Sequence, residues 1–213
     1  MNIAKRLNTH YLLTLPFILV PLLVTHRFQD PTLLIKRSGV FFLFAIIALI
    51  LVGMKKSRNA ISNANLKWLA GTGAFILALA VISSYNSINP SESYWELLYL
   101  SGWISIYACF MLYSTKETMK YIIVASSVVG AVLSLLLFND VFHWISIELP
   151  HNGPVASTFG IRNYFGQYLC FAVPASVLSV FMLKSNKGKL LMLICSLLNM
   201  GGLILNRNRA TWL

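Results

Sequence analysis

Charge is what this 213-residue sequence has least of: 11% of its residues are charged and only six are acidic, where a soluble domain carries about a quarter charged. With 57% hydrophobic residues and a mean hydropathy of +0.72, that scarcity excludes a water-soluble globular domain. Cys109, Cys170 and Cys195 stand singly in apolar segments, with no CxxC and no metal-ligand spacing, so they read as small apolar residues. No DxD-like pair or carboxylate cluster occurs, which removes the usual donors of a Mg²⁺ site. Internal repeats and low-complexity linkers are also lacking. The first apolar run, 11–24, holds Pro16 and Pro21 and is followed by His26 and Arg27 rather than by a small-residue cleavage site, so it reads as a retained span and not a signal peptide.

What the sequence does have is long apolar runs. After 11–24 come 39–54, 68–83, 97–113, 119–138, 165–183 and 190–205, each approaching the roughly 20 residues that a bilayer-crossing helix needs. They do not alternate as the short strands of a membrane β-barrel would. The expectation is an all-α polytopic transmembrane bundle of about seven spans, forming one domain over residues 1–213. The net charge of +11 has no basic face of a soluble module behind it, so it does not indicate nucleic acid; it reports topology. Eleven of the 17 basic residues, from Lys5 and Arg6 to Lys184, Lys187 and Lys189, fall on one set of alternate loops, and five of the six acids on the other. The basic side is retained in the cytoplasm, placing the amino terminus inside and Leu213 outside.

Two outer segments exceed short turns. The stretch 84–96 carries Tyr94 and Trp95 and reads as an anchoring loop at the interface. The stretch 139–163 holds His143 and His151, with Pro150, Gly153 and Pro154; His143 beside Trp144 suggests a short amphipathic helix on the membrane surface.

The outer half keeps basic residues that topology does not favour. Arg162 stands where the sixth apolar run begins; Arg207 and Arg209 stand where the seventh ends. Three guanidinium groups at one boundary suit phosphate oxygens, since the planar fork donates paired hydrogen bonds; the competing reading is snorkelling to lipid headgroups. Gly160 permits a sharp turn and Asn163 is placed to cap a helix starting at Tyr164, and a helix amino terminus attracts anions. Gln167, one turn further in, reads as an interhelical hydrogen-bonding residue.

The stretch 157–174, STFGIRNYFGQYLCFAVP, resembles the G-N-x-N motif, apolar helix and Pro of the O-antigen ligase and polymerase superfamily. The stretch ILNRNRATWL resembles that family's T-x-S-R-G/A-x-W-L signature, with Arg209 and Trp212 at the matching positions. Ile161 departs from the first motif, and Asn206 and Asn208 from the second. The resemblance implies a multi-pass protein of the bacterial inner membrane and cell envelope. It implies transfer of a polyprenyl-diphosphate-linked glycan, such as an undecaprenyl-diphosphate-linked lipopolysaccharide chain, to an acceptor at the outer face, with no cofactor or metal. The diphosphate-binding residues carried over are Arg162, Arg209, Arg207, Asn163 and Gly160; no general base is identified. It also implies further helices and a large outer loop with a functional histidine, so that this chain corresponds to the amino-terminal part of a glycosyltransferase and is inactive alone. The alternative is a transporter or a non-catalytic membrane subunit. For the transporter, Pro16, Pro21, Pro174 and the pair Gly201 and Gly202 offer helix breakers, but no Asp, Glu, Lys or Arg falls in the middle of an apolar run.

Overall fold

A computed structural model describes residues 9–23, 33–53, 63–85, 87, 89–146, 157–159 and 161–207. They form seven α-helices: α1 (Thr9–Leu22), α2 (Leu33–Gly53), α3 (Asn63–Tyr85), α4 (Pro90–Tyr113), α5 (Lys116–Phe142), α6 (Arg162–Met182) and α7 (Asn186–Asn206), with one 3₁₀ turn at Ser157–Phe159. All-helical architecture is thus as expected. The helices α4 to α7 are long and apolar enough to cross a membrane, whereas α1, α2 and α3 carry the shorter apolar stretches His10–Leu22, Ser38–Ile50 and Gly71–Tyr85.

Helix limits follow from local chemistry. Thr115 starts α5 with a reciprocal capping box to Thr118, and the Ser185 hydroxyl accepts from the Gly188 amide to start α7; each satisfies a first-turn N–H that has no carbonyl partner. Pro90 opens α4, where its missing N–H and fixed φ fit the first turn. The expected anchoring loop 84–96 is therefore mostly helix, with Tyr94 and Trp95 exposed on α4. At the far end of α5, His143 adopts the left-handed conformation and ends the helix, and Trp144 stacks on Phe142. Among the described residues, no amphipathic helix forms around His143 and Trp144.

The chain divides into two compact units, residues 1–43 with 115–213 and residues 44–114. In the second unit α3 packs on α4, and Phe44 meets Phe110 edge-on at 5.6 Å between ring centroids. The first unit is built around α5. Its apolar core is Val129, Leu133 and Leu137 of α5 against Phe165, Leu169 and Ala172 of α6.

Close approach of α5, α6 and α7 depends on small residues. Gly130 sits against Ala172 and Asn199, Gly202 against Ser134, and Gly201 against Phe138. Gly201 and Gly202 thus do not break α7, which runs unbroken past them; a glycine in a spanning helix lets backbones approach. Buried hydroxyls and amides line the same seam. Asn199 donates to the Ser127 carbonyl at 3.1 Å and accepts from Ser134 at 3.5 Å.

These pairings fix direction. Residues 127, 134 and 138 of α5 meet residues 199, 202 and 201 of α7, so those helices are parallel, with α6 antiparallel between them in sequence. His10 bonds Thr118 at 2.8 Å and Thr115 at 3.2 Å, so α1 starts level with α5 and runs alongside it. With 14 residues, α1 reaches about 21 Å at 1.5 Å per residue, whereas the 27 residues of α5 reach about 40 Å. The first helix stops about halfway along α5, short of the full span expected from 11–24.

Candidate functional site

Parallel α5 and α7 with antiparallel α6 put the end of α5, the start of α6 and the end of α7 at one end of the first unit. Arg162 is the first residue of α6 and Arg207 the residue that ends α7. Arg207 is exposed, with φ 49° and ψ 29°, and its amide bonds the Ile204 carbonyl at 3.3 Å. Two of the expected arginine positions therefore share one end. The side chain of Arg162, together with Gly160, Arg209 and His151, lies outside the described residues.

Asn163 is exposed in the first turn of α6 and does not cap it. The helix begins one residue before Asn163, Ile161 holds the capping position, and no side chain caps this first turn. Gln167 is exposed as well, not buried between helices: Phe165 and Gly166 take the inward face, leaving Gln167 on the outer one. Pro174 lies within a continuous α6.

Between α5 and α6 the chain does not stay at the rim. Ser157 and Thr158 are buried, and the Ser157 hydroxyl donates to the Leu133 carbonyl at 3.0 Å. Leu133 precedes the end of α5 by nine residues, so this turn is held about 13 Å inside that end. Phe159 packs on Phe165 and Tyr168 of α6, with ring centroids 5.8 and 5.2 Å apart. The turn thus packs against the first two turns of α6.

The buried turn meets a residue that lies outside every apolar run in the sequence. Lys36, near the start of α2, is only 8% exposed. Its ammonium donates to the carbonyls of Pro21 at 2.6 Å and Leu23 at 2.8 Å, with the Val20 carbonyl and the Thr158 hydroxyl each at 3.5 Å. The Phe159 ring lies 4.7 Å from the ammonium. Thr158 in turn donates to the Pro21 carbonyl at 2.7 Å. The last carbonyls of a helix have no intrahelical partner and carry its negative dipole end. Lys36 bonds two of them, those of Val20 and Pro21, and the Leu23 carbonyl just past the helix, which offsets part of the cost of burying its ammonium.

A buried lysine therefore lies inside the first unit although no charged residue falls in the middle of an apolar run. The signal available in the sequence was the shortness of the first run, 11–24, with Pro21 near its end: a helix that stops inside the bundle leaves carbonyls that require a donor. No group of three or more His, Cys, Asp or Glu side chains is placed to hold a metal ion among the described residues. Comparison of the chain with family models, curated proteins and solved structures gives no match.

Proposed function

We propose that the chain contributes the diphosphate-binding end of a membrane glycan transferase in a bacterial inner membrane, with the amino terminus in the cytoplasm and the Arg162 end outside. The observation that supports this reading is that Arg162, at an amino-terminal turn of α6 that no side chain caps, and the exposed Arg207, at the end of α7, stand at the same end of the first unit. Amide donors, a positive helix end and guanidinium forks favour an anion there, and a lipid-linked diphosphate presents its charge at the membrane boundary where the arginines stand. In glycan transfer these groups stabilise the negative charge that develops on the departing diphosphate. The same stabilisation of a departing diphosphate serves a ligase, a polymerase and a protein glycosyltransferase alike.

The test is binding of a polyprenyl diphosphate to the full 213-residue chain in lipid nanodiscs, with the matching polyprenol as competitor. The diphosphate is expected to bind and the alcohol not to compete. Arg162→Lys and Arg207→Lys should each weaken binding about tenfold, because an ammonium cannot donate the paired bonds of a guanidinium. Equal binding of alcohol and diphosphate, or unchanged binding in an Arg162→Ala, Arg207→Ala double variant, refutes the reading.

Lys36 favours a second reading, a transporter. A buried lysine beside a short, proline-containing helix and a 3₁₀ turn resembles the charged residues and helix ends that transporters place at their ion sites. Uptake into vesicles driven by an ion gradient, lost in Lys36→Met, would separate this reading from glycan transfer.

A further inference from the structure

Four oxygens converge on one buried point: the carbonyls of Val20, Pro21 and Leu23 and the hydroxyl of Thr158 all lie within 3.5 Å of the Lys36 ammonium. Among the described residues every hydrogen-bond acceptor of that ammonium is an uncharged oxygen, so the cage has the electrostatics of a single-charge site. A divalent ion would require carboxylates, whereas rings of carbonyl dipoles are how proteins hold monovalent cations without fixed charge.

The cage does not depend on the lysine for its shape. Thr158 is joined to the Pro21 carbonyl directly at 2.7 Å. The 3₁₀ turn is anchored by Ser157 on the Leu133 carbonyl, and Phe159 is wedged between Phe165 and Tyr168. On the α1 side, Pro21 has no N–H and a fixed φ, which stiffens the end of the helix. Gly39 of α2 lies against Leu23. The aromatic face of Phe159 closes the point with its negative quadrupole.

The site also lies where a carbonyl that loses a donor is costly. It is about 13 Å inside the end of α5 by helix rise, and with α5 crossing the bilayer no bulk water is present at that depth to satisfy the carbonyls. We propose that these oxygens form a monovalent-cation site whose resident cation is the chain's own Lys36 ammonium, and that the site takes a free cation of ammonium or potassium size once that side chain is removed. The Pro21 and Leu23 carbonyls, at 2.6 and 2.8 Å, stand at distances that suit such weakly hydrated ions better than lithium or sodium, and the Val20 and Thr158 oxygens, both at 3.5 Å, would move in by well under an ångström to complete the site. The tethered ammonium makes the fold of the first unit independent of the salt present.

Thermal unfolding of the 213-residue chain with Lys36→Ala, in bilayers at constant ionic strength, tests this with choline, lithium, sodium, potassium, ammonium and methylammonium chlorides. The variant is expected to gain stability saturably with ammonium and potassium over choline, by about 3 °C at tenfold excess over the dissociation constant. The unaltered chain should show no such rise. Adding Thr158→Val, which removes one oxygen, should weaken the apparent affinity of the Ala variant about tenfold. Lys36→Met fills the space with an apolar chain and should not respond. If the Ala variant fails to fold in choline, folding restored by ammonium or potassium supports the site. No response in any salt, no folding in any salt, or an equal response from the unaltered chain or from Lys36→Met overturns it.

Discussion

Replacing Gly130 and Gly71 by alanine separates two consequences of the same chemical change. Both glycines lie within helices, and an alanine there gains about 1 kcal/mol in helix propensity. At Gly71, in α3, a Cβ would meet nothing within 4 Å, so that gain is expected nearly in full. At Gly130 a Cβ would come within 2.7 Å of the Asn199 side-chain oxygen and 2.8 Å of the Ala172 Cβ. Neither neighbour can yield cheaply. Ala172 is fixed to the α6 backbone, and Asn199 is fully buried and held by Ser127 and Ser134. Overpacking of this kind costs about 1–3 kcal/mol, and displacing Asn199 puts about a further 1 kcal/mol of hydrogen bonding at risk. Gly130→Ala is therefore expected to lose about 1–3 kcal/mol net, while Gly71→Ala gains up to about 1 kcal/mol. For a chain of this size the two melting temperatures should differ by roughly 5–15 °C, read by thermal unfolding in bilayers or mild detergent. Equal stability of the two variants would show that α5, α6 and α7 do not approach through Gly130.

Two further outcomes follow from the same seam and from the charge pattern. Asn199→Leu should lower stability by about 1–2 kcal/mol, since the Ser127 carbonyl and the Ser134 hydroxyl lose their partner in an apolar setting; combined with Ser134→Ala in a double-mutant cycle, the losses should fall short of additivity by about 0.5 kcal/mol, and full additivity would mean that the two side chains do not interact. An alkaline phosphatase fused after Lys187 should be inactive and one fused after Gly153 active, because basic loops stay in the cytoplasm; the reverse pattern would invert the proposed orientation.

The helices were legible because apolar runs and their caps act locally. The run 119–138 becomes α5 once the capping box at Thr115 is added, and 190–205 becomes α7 once Ser185 is added. What each residue does inside the bundle depends on partners distant in sequence, and there the reading failed. Gly201 and Gly202 look like breakers along the chain, yet they are contact points once α5 lies beside them. Lys36 looks like a loop charge ahead of an apolar run, and only the folded chain brings the α1 carbonyls and Thr158 to it across intervals of 13 and 122 residues. The shared end of Arg162 and Arg207 was visible because alternation of spans alone sets which helix ends lie together.

Arg207 offers a test in which stability and ligand binding should move in opposite directions. It holds a left-handed conformation, φ 49°, at the end of α7, which costs a non-glycine residue roughly 1–2 kcal/mol. Glycine is the usual residue there because it has no Cβ to clash. Arg207→Gly relieves that strain and forfeits the exposed side chain's interactions, which at a surface are worth about 0–1 kcal/mol. The variant should therefore be as stable as the parent or more so by up to about 1–2 kcal/mol. Binding of polyprenyl diphosphate should nonetheless fall by about tenfold or more, because one guanidinium fork has gone. His143 supplies the control, since it is left-handed with φ 53° at the end of α5 and at the same end of the unit. His143→Gly should gain similar stability and leave diphosphate affinity unchanged. Unchanged affinity in Arg207→Gly would remove Arg207 from the anion site. A loss of stability in Arg207→Gly would mean that this arginine holds the end of α7 by contacts worth more than the strain it bears.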